Sequence, residues 1–397
     1  MVQHTQLKDI CEILNGYAFK SSKYVDKGIR VIRITNVQKG YIEDDTPQYY
    51  PTESEKEIEK YMLQEGDLLM SLTGNVGRVA ILKKEMLPAA LNQRVACLRL
   101  KESSNVYKPY LFHLLNSDFF EKQCIFSAQG IAQKNMSTEW LKKYQIPLYS
   151  IEKQKDIAEL FDQIDGLIDD RKKQKYKLEE LVKSRFIEMF GTLYNNENGF
   201  DIVTLDEVCS LIKDGTHQTP QYTENRIEGY KFLSSKDVMS QKIDWTDIKY
   251  IPEELHKKLY AVIRPQRNDI LMSKNGVNYG VAAVNDTDEI FDIYVSLALL
   301  RPKAVIDPVF LRCIINNPET KKQFSASIKG IGVPNLHLGE IKKTKIFLPP
   351  MELQKEFVAF VAQTDKSKYY NFTSYKYCVL AAKLIRQEWM LCQTLSF

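Results

Sequence analysis

The sequence predicts an α+β protein of two tandem globular domains, each followed by a long helix. The two helices are expected to pair as an antiparallel coiled coil with pseudo-two-fold symmetry. Three observations carry this. Residues 5–190 and 203–390 align as two copies with the same order of motifs. Each copy opens with short apolar runs of strand type. Each closes in a heptad-patterned stretch far longer than a helix inside a compact domain needs.

The helices come first because they set the frame. From Ile151 to Phe190, Ser150 suits an N-cap, Glu152 and Asp156 suit the first turn, and Gly191 stands where a C′ glycine belongs. Ile157, Phe161, Ile164, Ile168, Leu178, Val182 and Met189 fall on a seven-residue repeat, and Leu160, Leu167, Leu181 and Phe186 widen the stripe. About 40 helical residues span roughly 60 Å, the length of a spacer. Its centre, Asp169 to Lys177, is mostly charged and reads as an exposed length of helix. The pattern then recurs. Ile346 to Lys355 repeats Ile146 to Lys155, the seam continues through Phe357, Val361, Cys378, Ala382, Ile385 and Trp389, and Thr364 to Lys368 repeats the polar interruption. The boundaries follow: 1–150 and 192–350 for the globular domains, 151–191 for the central helix and 351–397 for the distal one.

Within each copy the strands take the same order. Leu7 to Cys11 answers Leu205 to Cys209, and Gly28 to Val37 answers Gly229 to Val238 as a strand beginning after a glycine. Asp67 to Leu72 followed by Arg78 to Leu82 reads as a hairpin around Gly74, answered by Asp269 to Ser273 and Gly276, with Val79-Ala80 answering Val281-Ala282. Arg94 to Leu100 alternates with period two, and its end answers Leu297 to Arg301. One amphipathic helix is expected from Pro109 to about Phe126, with a counterpart from Pro308. Gly130-Ile131 and Asn135 answer Gly330-Ile331 and Asn335, and Gly191 to Gly199 links the copies.

A chain of 397 residues can bury two or three cores, and its net charge of +4 permits nucleic-acid binding without arguing for it. The seven cysteines form no Cys-x-x-Cys pair, which suits small core residues in a reducing cytoplasm. Met1 to His4 begins no signal peptide, and apolar runs such as Leu297 to Leu300 are too short to span a bilayer, so no membrane is expected. Catalytic signatures are missing. There is no phosphate-binding Gly-rich loop before a helix and no metal spacing among His4, His113, His217, His256 and His337. Asn316-Asn317-Pro318-Glu319 reads as a helix-end turn, and Glu340-Ile341-Lys342 as surface charge. The copies differ most in their loops: Phe19 to Tyr24 against Lys213 to Pro220, and Thr73 to Arg78 against Lys274 to Tyr279. One scaffold with two polar loop sets implies two related but distinct ligands.

Asp214-Gly215-Thr216-His217-Gln218-Thr219-Pro220, Phe232 to Val238, Asp269 to Gly276 and the Ile-Pro-Leu to Glu-x-Gln-Lys entry into the first long helix carry a resemblance. Together with the duplicated plan, the chain resembles the DNA-specificity (S) subunit, HsdS, of type I restriction–modification enzymes, over nearly its whole length. The resemblance implies a non-catalytic subunit. Each globule would be a target-recognition domain for one half of a bipartite double-stranded DNA target. The helices would fix the gap and dock two methyltransferase (M) subunits, which restriction (R) subunits can join. No cofactor would bind this chain; S-adenosylmethionine, ATP and Mg would belong to the partners. An orphan or phase-variable DNA-binding module without an enzyme partner is the alternative, and a nuclease using Glu340 and Lys342 a more distant one.

Base edges are read by Arg or Lys on guanine and by Asn or Gln on adenine. The loops offer Lys20, Lys23, Asn75, Arg78, Gln93, Arg94, Lys274, Asn275 and Asn278, with Tyr24, Tyr279 and Tyr294 for phosphate or flipped-base surroundings. Ser22, Thr73, Lys134, Thr216, Lys236 and Lys329 complete the candidate DNA-binding set, with His217 as either a ligand contact or a turn stabiliser.

Overall fold

The computed structural model describes residues 3–128, 135–328 and 334–394. The Gly130-Ile131 and Gly330-Ile331 repeat lies outside them, as do the side chains of Trp389 and Cys392. The chain divides into two units: residues up to Lys173 with the distal helix from Phe372 onward, and Gln174–Asn371.

In the first unit an antiparallel sheet runs in the order Cys11–Asn15, Val95–Leu100, Leu68–Ser71, Val79–Ile81. A second sheet joins Tyr49–Tyr50, Ile29–Ile32 and Ala89–Leu91, the last two parallel. The period-two alternation of the first sheet sorts residues between two cores, because both of its faces are covered. Leu68, Met70, Ala96 and Leu98 face the helices, while Leu69, Val95 and Cys97 join Ile32 and Leu91 on the other side. Both sets are buried, so the expected in-and-out exposure pattern is absent from Val95–Leu100 until its end.

The second unit repeats this plan. Cys209–Asp214, Leu297–Pro302, Ile270–Ser273 and Ala282–Val284 form its antiparallel sheet, and Lys249–Ile251, Tyr230–Leu233 and Phe291–Ile293 the smaller one. The ladders correct one expected correspondence. Met70 pairs Val79 and Met272 pairs Ala282, so Val79 is equivalent to Ala282 and the second hairpin loop is one residue longer.

The expected single helix from Pro109 is two, Lys108–Leu115 and Asp118–Ser127, and its counterpart divides into Pro308–Ile315 and Pro318–Ser327. Ser117 Oγ accepts from Phe120 N at 3.2 Å and Asn317 Oδ1 from Glu319 N at 2.8 Å, so each break is an N-cap. Asn316 and Asn317 thus form the helix-end turn that the sequence indicates.

The central helix spans Ile151–Phe190 and the distal helix Met351–Thr394. The repeated glutamine of each entry is wholly buried. Gln154 Oε1 accepts from Tyr107 N at 2.7 Å, and its amide donates to Asn105 O and Tyr149 O; Gln354 makes the same bonds with Asp307 N, Val305 O and Pro349 O. Each helix is thereby fixed to the globule it leaves. An acidic residue further along adds a second tie, two turns on in the first unit, where Asp162 lies 2.8 Å from His113 Nε2, and three turns on in the second, where Asp365 lies 4.0 Å from Arg312 Nη1.

Inside the second unit, the end of the central helix meets the start of the distal one, as an antiparallel pair requires. Phe186 and Phe190 each lie 5.5 Å, ring centre to ring centre, from Phe357, and Arg185 Nη2 lies 2.9 Å from Glu356 Oε1. The expected width of the seam is corrected. Phe186 is buried, but Leu160, Leu167 and Leu181 are 46%, 52% and 48% exposed. They lie on the flank of the heptad seam, which a two-helix pairing leaves uncovered.

Candidate nucleic-acid interface

In both units the loops that differ most converge at one end of the larger sheet. The reason is a close backbone crossing. Gly16 and Gly215 follow the first sheet strand, and a Cβ on either would collide with the backbone at Asn92 or Ile293. Beyond the crossing, Thr216 N donates to Ile293 O at 3.1 Å and Val295 N to Thr216 O at 3.0 Å. Lys274 N then donates to Ser296 O, Leu336 N to Lys274 O, and Ser235 N to Ser296 Oγ. Five chain segments are tied together here. In the first unit Tyr17 N bonds Leu91 O, Gln93 N bonds Tyr17 O, Leu72 N bonds Arg94 O and Met136 N bonds Leu72 O. Tyr17, Asn92, Arg94 and Leu72 are therefore the counterparts of Thr216, Tyr294, Ser296 and Lys274.

This cluster gathers Gln93, Arg94, Thr73 and Asn75 in the first unit, with Gln93, Arg94 and Asn75 exposed. Thr73 is half-buried and bridges to Asn135. Arg78 is half-buried, its guanidinium donating to Gln38 Oε1. Lys20, Ser22 and Lys23 are exposed on the turn after Tyr17, where Lys23 lies 3.9 Å from Glu57, and half-buried Tyr24 packs on Tyr50.

In the second unit it gathers Thr216, His217, Lys274, Asn275, Asn278 and Tyr294. Thr216 Oγ1 accepts from Gln218 N at 3.3 Å, fixing the turn that carries exposed His217. Asn278 is exposed, and the buried Oδ1 of Asn275 has no hydrogen-bond partner. Both serine hydroxyls at the hairpin roots donate to an asparagine carbonyl, Ser71 to Asn75 and Ser273 to Asn278, which makes those asparagines equivalent. Val277, 80% exposed, is the additional residue of the longer loop.

Three candidates sit otherwise than a surface cation or reading side chain would. Lys274 is buried against Asp214, because it occupies the place of the core residue Leu72. Tyr279 turns to the helix beside the sheet, where its hydroxyl donates to Ser325 Oγ at 2.9 Å. Lys236 is exposed, but its ammonium is held by Asp247 at 2.7 Å. Lys134 and Lys329 lie outside the described residues.

Sequence reasoning missed Tyr17, Asp214 and Ser296. Tyr17 donates its hydroxyl to Glu57, a bond that pushes the phenol up to about 12. Glu340 and Lys342 face other partners, Lys343 and Asp206. Burial pushes Cys11, Cys124 and Cys209 up to about 12, leaving inert thiols. No group of three His, Cys, Asp or Glu among the described residues could hold a metal ion, and no described helix is long and apolar enough to cross a membrane.

Comparison with known proteins adds a family. The model of the type I restriction modification DNA specificity domain matches residues 2–180 and again 197–370. The specificity subunit of the EcoBI type I restriction enzyme of Escherichia coli is 24% identical over 90% of this chain and 78% of its own length. That of MjaVIII from Methanocaldococcus jannaschii is 32% identical, over 45% of this chain and 43% of its own length. In fold, the type I restriction–modification S subunit of M. genitalium superposes with a TM-score of 0.55 over 97% of this chain and 95% of its own, at 14% identity. A chain from a structure of the type I R-M system reaches 0.58 over 98% and 97%, at 17% identity.

Proposed function

The chain belongs to the family of type I restriction–modification DNA specificity proteins, and on that premise we propose that each of its units reads one half of a bipartite double-stranded DNA target. One observation carries the proposal: a single frame of sheet and tied loops is repeated, and equivalent positions in it hold different chemistry. Arg94 stands against Ser296, Tyr17 against Thr216 and Asn92 against Tyr294. Constant backbone contacts with changed side chains are what two different half-sites require, since base edges are distinguished by donor and acceptor pattern. Gln93, Arg94 and Asn75 read one half; His217 and Asn278 read the other.

The long helices set the gap between half-sites and dock two methyltransferase subunits. Support for a protein partner comes from apolar side chains left open on the central helix, Leu160 and Leu167 in the first unit and Leu181 and Ile187 in the second. The chain is the non-catalytic member of a cytoplasmic complex. Methyl transfer, with S-adenosylmethionine, and ATP- and Mg-dependent cleavage by restriction subunits belong to its partners.

Mapping modified adenines in the source genome, with and without this gene, tests the reading. We expect a two-part motif with a fixed gap that disappears on deletion. A methylation pattern unchanged by deletion, or a continuous motif, rejects it.

A further inference from the structure

The second unit carries two charges where the first carries none. Asn15 pairs Ala96 in the first sheet and Asp214 pairs Ala298 in the second, which makes Asn15 and Asp214 equivalent. Leu72 and Lys274 are equivalent by their backbone bonds, to Arg94 O and Ser296 O on one side and from Met136 N and Leu336 N on the other. A neutral Asn15 and Leu72 thus become an ion pair. The Lys274 side chain is 6% exposed, and its Nζ lies 2.6 Å from Asp214 Oδ2. The same carboxylate oxygen lies 3.3 Å from Nε2 of His217, whose side chain is 73% exposed.

A lysine so enclosed cannot reach a phosphate without abandoning its carboxylate. Removal of both charges from water makes such a pair a poor source of stability, and fixing register is its best-attested use. We propose that Lys274 and Asp214 are the positioning pair of the second half-site reader. They bind the Asp214–Pro220 loop to the Lys274–Tyr279 loop and orient His217 outward as the group that meets DNA. Lys274 acts through these loops and not by touching nucleic acid. The proposal rests on the chain being a reader of DNA sequence.

The test uses the full chain and random duplex libraries, with affinity followed from 50 to 200 mM NaCl. Wild type is compared with Lys274→Ala and with the double variant Lys274→Leu/Asp214→Asn, which installs the first unit's neutral pair. For Lys274→Ala we expect discrimination at the second half-site to fall about tenfold, the scale of one lost base contact. The first half-site should be unchanged, and so should the slope of log affinity against log salt. The double variant leaves no stranded charge and should fold, yet it lacks the contact between the loops and the carboxylate facing His217, so its second-half discrimination should fall about tenfold as well. A slope shallower by about 0.9 in Lys274→Ala, the signature of one lost phosphate contact, overturns the proposal. So does a double variant that discriminates as well as wild type. Should Lys274→Ala fail to fold, the double variant decides alone: loss of second-half discrimination with the first half intact upholds the pair, and wild-type selection refutes it. A wild-type chain that selects no sequence refutes the premise itself, and the proposal with it.

Discussion

Arg99 grips Asp67 through two parallel hydrogen bonds, Nε to Oδ1 at 2.9 Å and Nη2 to Oδ2 at 2.7 Å. Arg301 holds Asp269 in the same way, at 2.8 Å for both bonds. The carboxylates are 3% and 1% exposed and also accept from Gln64 N and Gln266 N. Each fork therefore clasps the start of one central strand to the end of its neighbour, on the sheet whose far end carries the loops. Removal of the arginine strands a carboxylate in the interior. Arg99→Ala should destabilise the first unit by about 3 kcal/mol, the lower end for a broken buried pair because Arg99 is partly exposed. Arg99→Met/Asp67→Leu should recover most of that. Urea unfolding with limited proteolysis, to assign the transition, checks both.

Such pairs explain why much of the fold was legible from sequence. Asp67 with Arg99 and Asp269 with Arg301 recur together because each needs the other, and Gln154 and Gln354 recur because each satisfies a buried loop. What could not be read depended on distant partners. Lys274 stands in a polar string, and nothing local says that Asp214, sixty positions earlier, closes over it. The one-residue slip at Val79 arose because Val281-Ala282-Ala283 offers the same local pattern in two registers, and only cross-strand bonds choose between them. The split helices had a usable signal in the capping residues Ser117 and Asn317, which amphipathic periodicity outweighed. Tyr17 carried no signal at all, since its place depends on Gly16 crossing the neighbouring backbone.

Acid and base should act unequally on the second unit. Asp292 is 2% exposed, lies 2.6 Å from His256 Nδ1, and is held above the ordinary carboxylate value by burial, against the opposing pull of His256. A carboxyl with a raised folded value binds its proton more tightly in the folded state. Its contribution is thus fully present below the unfolded value of about 3.9 and is lost as pH rises through the folded value. Asp292→Asn removes that titration. The stability of the variant relative to wild type should be more favourable at pH 7 than at pH 4, read from urea midpoints at both. A difference that does not change with pH would assign Asp292 the same ionisation folded and unfolded.

Val277 offers a cleaner separation of reading from folding. It is the extra residue of the second hairpin loop and is 80% exposed beside Asn278. Its deletion shortens the loop to the first unit's length and leaves the ladders on either side intact. Stability should move by no more than about 0.5 kcal/mol, as for surface changes away from buried features. Sequence selection should change at the second half-site alone. A change at both half-sites, or none, would separate this loop from DNA reading.

The charged centre of the central helix is the place to test its length. Exposed ion pairs run along it, Lys172 with Asp169 at 3.2 Å, Lys173 with Asp170 and Lys175 with Glu179 at 3.9 Å. Exposed pairs of this kind contribute little, so added residues should be tolerated there. Four residues lengthen a helix by about 6 Å and advance it by little more than one turn, which keeps the apolar stripe close to its original face. If the helix measures the distance between half-sites, an insertion after Lys173 should widen the gap by at most about two base pairs, at roughly 3.4 Å each. Both half-sites should be selected as before, because their loops are tied to sheets that the insertion does not enter. Duplex selection reads the gap directly. A gap that stays fixed in an insertion variant which still selects both halves removes the ruler role from the helix and assigns the spacing to the globules themselves.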